Sequence, residues 1–244
     1  MTHPALERIR ALGFDEPAAR TLADHFLDAD ARGKPGHGVA RIDFLAALPG
    51  FDPAARPRRL VSEPGYERWH GAGAVGYLTM AAVCDAQLAD PPTRARLVVA
   101  SRCFPTGVLG YWVRLLAEGG LVAALTATSP PRLAHPDGSP PLAGTNPLAI
   151  GVPSSQGRPF VADVSMGKVT HGDVLLGEAG PDDLVPFGGE QAHKAFALAL
   201  GLQLFVDALV DEGPGAVLVV AASEADPVPA LRALAGSVRL PGDS

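Results

Sequence analysis

Gly33-Lys34-Pro35-Gly36-His37-Gly38-Val39-Ala40-Arg41, soon after Asp28-Ala29-Asp30, is the stretch on which the reading of this chain turns. A helical run breaks there into glycines and a proline, and an imidazole and a guanidinium follow four residues apart. Glycine lets the backbone take strained angles and approach a ligand closely. His exchanges a proton near neutral pH, and Arg clamps a carboxylate through a bidentate fork. Together these supply half of what is needed to bind and reduce a 2-oxo or 2-imino acid. The plainer reading is a helix C-terminus with a solvated His37 and with Arg41 paired to Asp28 or Asp30. The residues alone leave both open.

Working outward, Ala5–Leu12 and Glu16–Asp30 read as helices, the second with Leu22, Phe26 and Ala29 on one face. Ile42–Leu48 reads as a short helix, Pro53–Pro64 as an exposed connector, and Ala74–Leu88 as a buried helix. Strands are expected at Leu97–Ala100, Leu121–Thr126, Leu148–Val152, Phe160–Val164 and Ala216–Ala222. Helices are expected at Val108–Glu118, stopped by Gly119-Gly120, and at Ala192–Asp211. Strands mixed with helices of this length indicate an α/β layer structure. No G-x-G-x-x-G follows a strand and opens a helix, so the usual dinucleotide fingerprint is absent.

The 244 residues are 47% hydrophobic and 19% charged, a globular composition able to bury a substantial core. A net charge of −6 without a basic stripe argues against nucleic acid. Cys84 and Cys103 make no disulfide framework and match no zinc spacing, and the seven His residues form no metal cluster. No apolar signal core opens the chain and no unbroken apolar span crosses a membrane, so the cytoplasm is expected.

Three further constellations could carry chemistry. Gly144-Thr145-Asn146-Pro147 is a sharp turn before a strand, which could face a ligand or be an ordinary turn. Asp163-Val164-Ser165-Met166-Gly167 ends a strand, the usual place for ligand groups in α/β sheets and also a place for a helix cap. Pro186-Phe187-Gly188-Gly189 then Lys194 opens the longest helix and offers N–H groups and a charge to a phosphate, or a solvated first turn.

Taken in order, these segments resemble the type-2 malate/L-lactate dehydrogenase family, with its sulfolactate and ureidoglycolate dehydrogenase and Δ1-piperideine-2-carboxylate reductase relatives. The resemblance runs from about Leu6 to Leu240-Pro241-Gly242-Asp243. It is carried by Asp-Ala-Asp-x-Arg-Gly…Gly-His-Gly-x-x-Arg, Gly107…Gly110-Tyr111, Gly144-Thr145-Asn146-Pro147, and Pro186-x-Gly-Gly…Lys194. It implies a non-Rossmann α/β fold with a mixed sheet and flanking helices. It also implies a homodimer, NADPH or NADH as cofactor, and hydride transfer at the α-carbon of a 2-hydroxy or 2-amino acid. By position, His37 is implied as the acid/base group, and Arg41, Thr145 and Asn146 as substrate-binding. Gly144, Asp163, Val164, Ser165 and Lys194 are implied at the cofactor, with no metal. The expected division is a helical segment 1–65 packing with 205–244, and an α/β part 66–204.

The chain also departs from the family pattern. Where the family has Asn-Ser-x-His-Phe-Gly, with its usual proton acceptor, this chain has Arg102-Cys103-Phe104-Pro105-Thr106-Gly107, so Pro105 takes the histidine's place. Gly36 stands for a serine, Ser165-Met166-Gly167 for a small-Thr-Ser stretch, and a segment is missing between Leu176 and Pro186. Reducing a ketone needs a hydride and a proton on oxygen. An iminium needs only the hydride. The leading expectation is an NAD(P)H-dependent reductase of a cyclic imine or 2-oxo acid in a specialised, for instance biosynthetic, pathway. A non-redox cyclase, isomerase or lyase on a carboxylate substrate and a non-catalytic binding protein stand as alternatives.

Overall fold

The computed structural model describes residues 3–135, 137 and 139–243. The terminal residues of the expected segments 1–65 and 205–244, namely Met1, Thr2 and Ser244, lie outside it.

Three helices precede the sheet: α1 (Pro4–Ala11), α2 (Glu16–Ala31) and α3 (Arg41–Ala46). The Asp15 carboxylate accepts the Ala18 N–H and Pro17 sits in the first turn, so α2 starts where a cap and a pre-set φ coincide. Leu22, Phe26 and Ala29 are buried on one face, as their spacing predicts. Helices α4 (Gly76–Ala89) and α5 (Leu109–Glu118) follow. Leu109, Trp112, Val113 and Leu116 of α5 are buried at helical spacing against the sheet.

The sheet has seven strands: β1 (Arg58–Glu63), β2 (Tyr66–His70), β3 (Ala95–Ser101), β4 (Leu121–Ala127), β5 (Leu148–Val152), β6 (Phe160–Val164) and β7 (Ala216–Ala222). Their order is β1-β2-β3-β7-β4-β5-β6. Only β2 and β3 run parallel; the other neighbours are antiparallel. This is the mixed α/β sheet with flanking helices that the sequence implies. At Gly151 a Cβ would lie 2.4 Å from the Val113 carbonyl oxygen, so glycine lets α5 approach β5.

The stretch Pro53–Pro64, expected as a connector, contains edge strand β1. Its residues are nearly all exposed, so no apolar alternation marked it. Helix α7 (Ala192–Asp207) stops four residues before the expected Asp211, and α6 (His171–Leu175) and α8 (Val228–Ala235) join it. The expected boundaries cross the sheet: β1 falls in 1–65, and β7, at its centre, in 205–244.

The two sheet faces differ. Helices α4 and α5 cover one. On the other, Leu97, Val219, Ala124, Ile150 and Ala162 stand opposite one another across five strands. Val219 and Ile150 there are exposed, and α7 covers only one end, where Phe196 and Ala199 meet Leu148. Among the described residues, no helix is long and apolar enough to cross a membrane.

Candidate active site

The loop after α2 is built by close backbone approaches. A Cβ on Gly36 would meet the backbone of Gly172 in α6 at 2.8 Å, and one on Gly38 would strike the Asp30 carboxylate. Asp30 accepts the Val39 N–H (3.1 Å), which turns the chain into α3. Glycine on both sides of His37 therefore has a steric cause. The loop forms one wall of a cleft of about 370 Å³.

His37 and Arg41 both line this cleft. Burial, then the charges of Arg41 and Lys34, push His37 down to about 4, with Asp173 opposing. Its Nδ1 is buried without a partner. The imidazole is therefore neutral near pH 7, not poised at 6.5 as an accessible histidine would be. Arg41 is only 8% exposed, its Nε and Nη1 have no partner, and its guanidinium lies 4.8 Å from the Phe44 ring centroid. It does not pair with Asp28 or Asp30. Asp28 holds Arg32 and Arg114, and Asp30 caps the loop. A buried guanidinium with empty donors is costly unless a ligand meets it.

The opposite wall is the strap Phe104-Pro105-Thr106-Gly107-Val108, with a cis Phe104–Pro105 bond. Pro105 brings no titratable group. The strap rests on His25, whose Nε2 accepts the Val108 N–H at 3.1 Å inside a cage of Phe26, Tyr77, Tyr111 and Trp112. Burial holds His25 well below the ordinary range. Cys103 is buried, and its thiol is pushed up to about 12.

Asp163 and Ser165 reach the cleft from the end of β6. Asp163 accepts the Gly110 N–H at 2.9 Å and pairs with Lys34 at 3.3 Å, tying the His37 loop to the sheet. Thr145 also lines the cleft, whereas Asn146 does not. Its Nδ2 donates to the Ala199 carbonyl (3.0 Å) and to Gln203 (2.9 Å), so it fastens α7 instead. Gly144 is buried behind Ser129. Val164 is exposed, and Lys194, exposed at the start of α7, lies outside the cleft.

The residue-by-residue reading missed Tyr77, Arg132 and His171, all lining the cleft. Burial pushes Tyr77 up to about 12. Burial, then Arg132 and Arg41, push His171 down to about 4. The signal available for His171 was Thr170-x-x-Asp173, a capping box that opens α6 and brings this ring over the cleft. Among the described residues, no group of three or more His, Cys, Asp or Glu is placed to hold a metal ion.

A mixed sheet without a glycine-rich βα turn, carrying at one end a cleft lined by a buried arginine with unpartnered Nε and Nη1, defines a non-Rossmann α/β protein. The chain belongs to the malate/L-lactate dehydrogenase family, whose model matches residues 2–180. It is 32% identical over 184 residues to the (2R)-3-sulfolactate dehydrogenase (NADP(+)) of Chromohalobacter salexigens, covering 70% of this chain and 53% of that one. It is 28% identical over 226 residues to the Δ1-pyrroline-2-carboxylate/Δ1-piperideine-2-carboxylate reductase of Pseudomonas putida, covering 81% and 65%. The chain thus spans about half to two thirds of the length of these curated relatives. The fold is shared with Δ1-piperideine-2-carboxylate reductase from Pseudomonas syringae (TM-score 0.82, 22% identity, covering 98% of this chain and 88% of that one). It is shared equally with malate dehydrogenase from Entamoeba histolytica (TM-score 0.82, 20% identity, covering 98% and 84%).

Proposed function

We propose that this chain is an NAD(P)H-dependent reductase of a cyclic imine carboxylate or related 2-oxo acid, in a specialised pathway of the cytoplasm. One observation carries the reading: the cleft holds a buried Arg41 guanidinium whose Nε and Nη1 have no partner, beside two histidines and a tyrosine whose burial keeps them neutral at pH 7. His37 and His171 sit at about 4 and Tyr77 at about 12. Such a site binds a carboxylate and has no proton poised for a ketone oxygen. A protonated imine needs none. Relatives named as cyclic-imine reductases support the same choice.

The orphaned Arg41 and His37 nitrogens fit a polar, anionic guest, and the cleft volume suits the reactive end of a nicotinamide cofactor beside a small acid. Thr145 and Ser165 would hold that end, with Lys34 at the rim. The nicotinamide, when bound, supplies the hydride. Arg41 binds and orients the carboxylate, neutral His37 offers a hydrogen bond, and Pro105 with its strap excludes water from the reacting face. Gly144, Val164 and Lys194 do not face this cleft, which supports no direct contact from them at the reactive end. The open apolar row through Val219 and Ile150 supports a homodimer, read by light scattering.

The test is a titration of NADPH and NADH against the fluorescence of Trp69 and Trp112, followed by NADPH consumption with Δ1-pyrroline-2-carboxylate and Δ1-piperideine-2-carboxylate. Binding and turnover are expected. A protein that binds neither nucleotide is no reductase, and the non-redox or binding alternatives then take its place.

A further inference from the structure

We propose that His25, which does not reach the cleft, is a positioning residue for the reaction: through the Val108 N–H it fixes the Phe104–Val108 strap where that strap closes the reacting face. This rests on the reductase reading and adds to it a residue outside the cleft on which the rate depends.

His25 lies on α2, fully buried and outside the cleft wall. The same helix runs on into the Gly33–Arg41 loop, so one element carries the recognition wall and supports the wall opposite. The contact with the strap is close. Gly107 takes φ +71°, and a Cβ there would fall 2.2 Å from His25 Nε2 and 2.3 Å from Tyr77 Cε1. Glycine lets the strap lie directly on the imidazole. Beside it the Trp112 ring stacks on His25, with centroids 5.0 Å apart, and its Nε1 donates to the Thr106 carbonyl at 2.8 Å. Two stacked rings thus hold the strap on either side of Gly107. Its start is held separately, by the Gly76 N–H on the Phe104 carbonyl at 3.2 Å, so the His25 bond governs the far half.

The imidazole contributes its chemistry as well as its shape. Nε2 accepts the Val108 N–H at 3.1 Å, which requires a lone pair there and leaves the proton on Nδ1. Burial, then His37 and Arg114, hold the ring neutral. Nδ1 is buried without a partner. A side chain that only filled this aromatic cage would be apolar and would bury no unmatched nitrogen. Without the acceptor the Val108 N–H is unmet and the far half of the strap is free to shift. A misplacement of about 1 Å beside reacting atoms costs about 10²-fold in rate.

Reduction of Δ1-piperideine-2-carboxylate by NADPH, read with the melting temperature, tests this on the intact protein. His25→Phe keeps a ring in the cage and loses the acceptor. His25→Gln places an oxygen near the Nε2 position and loses the ring. His25→Phe should lower kcat about tenfold to a hundredfold and leave the KM for the imine within about twofold, since Arg41 still binds the carboxylate. His25→Gln should recover kcat to within about threefold of wild type, although it fills the cage less well and melts lower. A residue with a packing role alone gives a higher melting temperature with phenylalanine than with glutamine and an unchanged kcat in both. An unchanged kcat in His25→Phe, or a kcat in His25→Gln as low as in His25→Phe, overturns the proposal while the reductase reading stands. Should His25→Phe not fold, His25→Gln decides together with amide exchange at Val108. Rate and protection should then stand or fall together, and either without the other overturns the proposal. Wild-type protein that reduces neither Δ1-piperideine-2-carboxylate nor Δ1-pyrroline-2-carboxylate removes both readings.

Discussion

The two walls of the cleft are built on opposite terms. The Gly33–Arg41 wall spends stability on function: its histidine is desolvated and its arginine is buried without a partner. The Phe104–Val108 wall is satisfied and inert, with proline at its centre and its Val108 N–H met by a caged histidine. On the proposed reading, a site with recognition on one side and no titratable group on the other favours substrates that arrive already protonated.

The largest effect expected of this asymmetry is on alcohol oxidation. Turnover of malate or L-lactate should fall about 10²–10⁴-fold below that of an enzyme with a positioned base. Steady-state assays with either acid check this, and turnover at an ordinary dehydrogenase rate would break the contrast. Pro105→His alone should not restore it, because the strap is already held in place by the bond from the Val108 N–H to His25.

Next comes Arg41. Arg41→Lys keeps the charge and loses the fork, so carboxylate affinity should drop about tenfold to a hundredfold. Arg41→Met should abolish binding while the melting temperature holds or rises, since it removes an uncompensated buried charge. A large fall in melting temperature would mean that the arginine is structural and the walls are alike.

Acid pH sharpens the comparison on a third scale. His37 titrates at about 4 when folded and near 6.5 when unfolded, so the unfolded chain binds more protons between those values. Stability should therefore fall as pH drops from about 6.5 to about 4, by up to roughly 3 kcal/mol for His37. His171, partly exposed to solvent, adds less. Urea titrations at stepped pH read this, and His37→Asn should flatten the slope. With an imine substrate, the rate profile should likewise lack a limb near 6.5.

The smallest effect belongs to the latch between the walls. Asp163→Asn keeps an acceptor for Gly110 and loses the Lys34 charge pair, which is partly exposed. The expected cost is below about 1 kcal/mol. Differential scanning calorimetry checks it.

Much of this was legible in the chain. The Asp15-Glu16-Pro17 start, the Leu22/Phe26/Ala29 face and the Gly119-Gly120 stop each carry a local cause, and their elements formed where expected. The edge strand β1 did not show, because its exposed Arg58-Arg59 and Ser62-Glu63 carry no alternation. Strand β2 was hidden by Glu67, an inward carboxylate tolerated only because Trp69 and Gln87 donate to it at 2.8 and 3.0 Å and Arg96 lies beside it. In the site, His37 and Arg41 were readable from spacing. Arg132 was not, since long-range packing alone brings it there, and the capping box at Thr170-x-x-Asp173 marked a helix start at His171 without marking the cleft it faces. Asn146 shows the converse: a motif residue beside the cleft whose side chain turns away to hold a helix.

The position of β7 bears on how the protein is made. It is translated after every other strand, yet it joins β3 to β4. Until it arrives, the growing chain carries two half-sheets, β1-β2-β3 and β4-β5-β6, each with a long apolar edge unpaired. Such edges are templates for wrong pairing, and closing them through distant contacts is slow. The polypeptide is therefore most exposed to aggregation between the emergence of β6 and that of β7, when chaperone capture and slowed elongation would matter most.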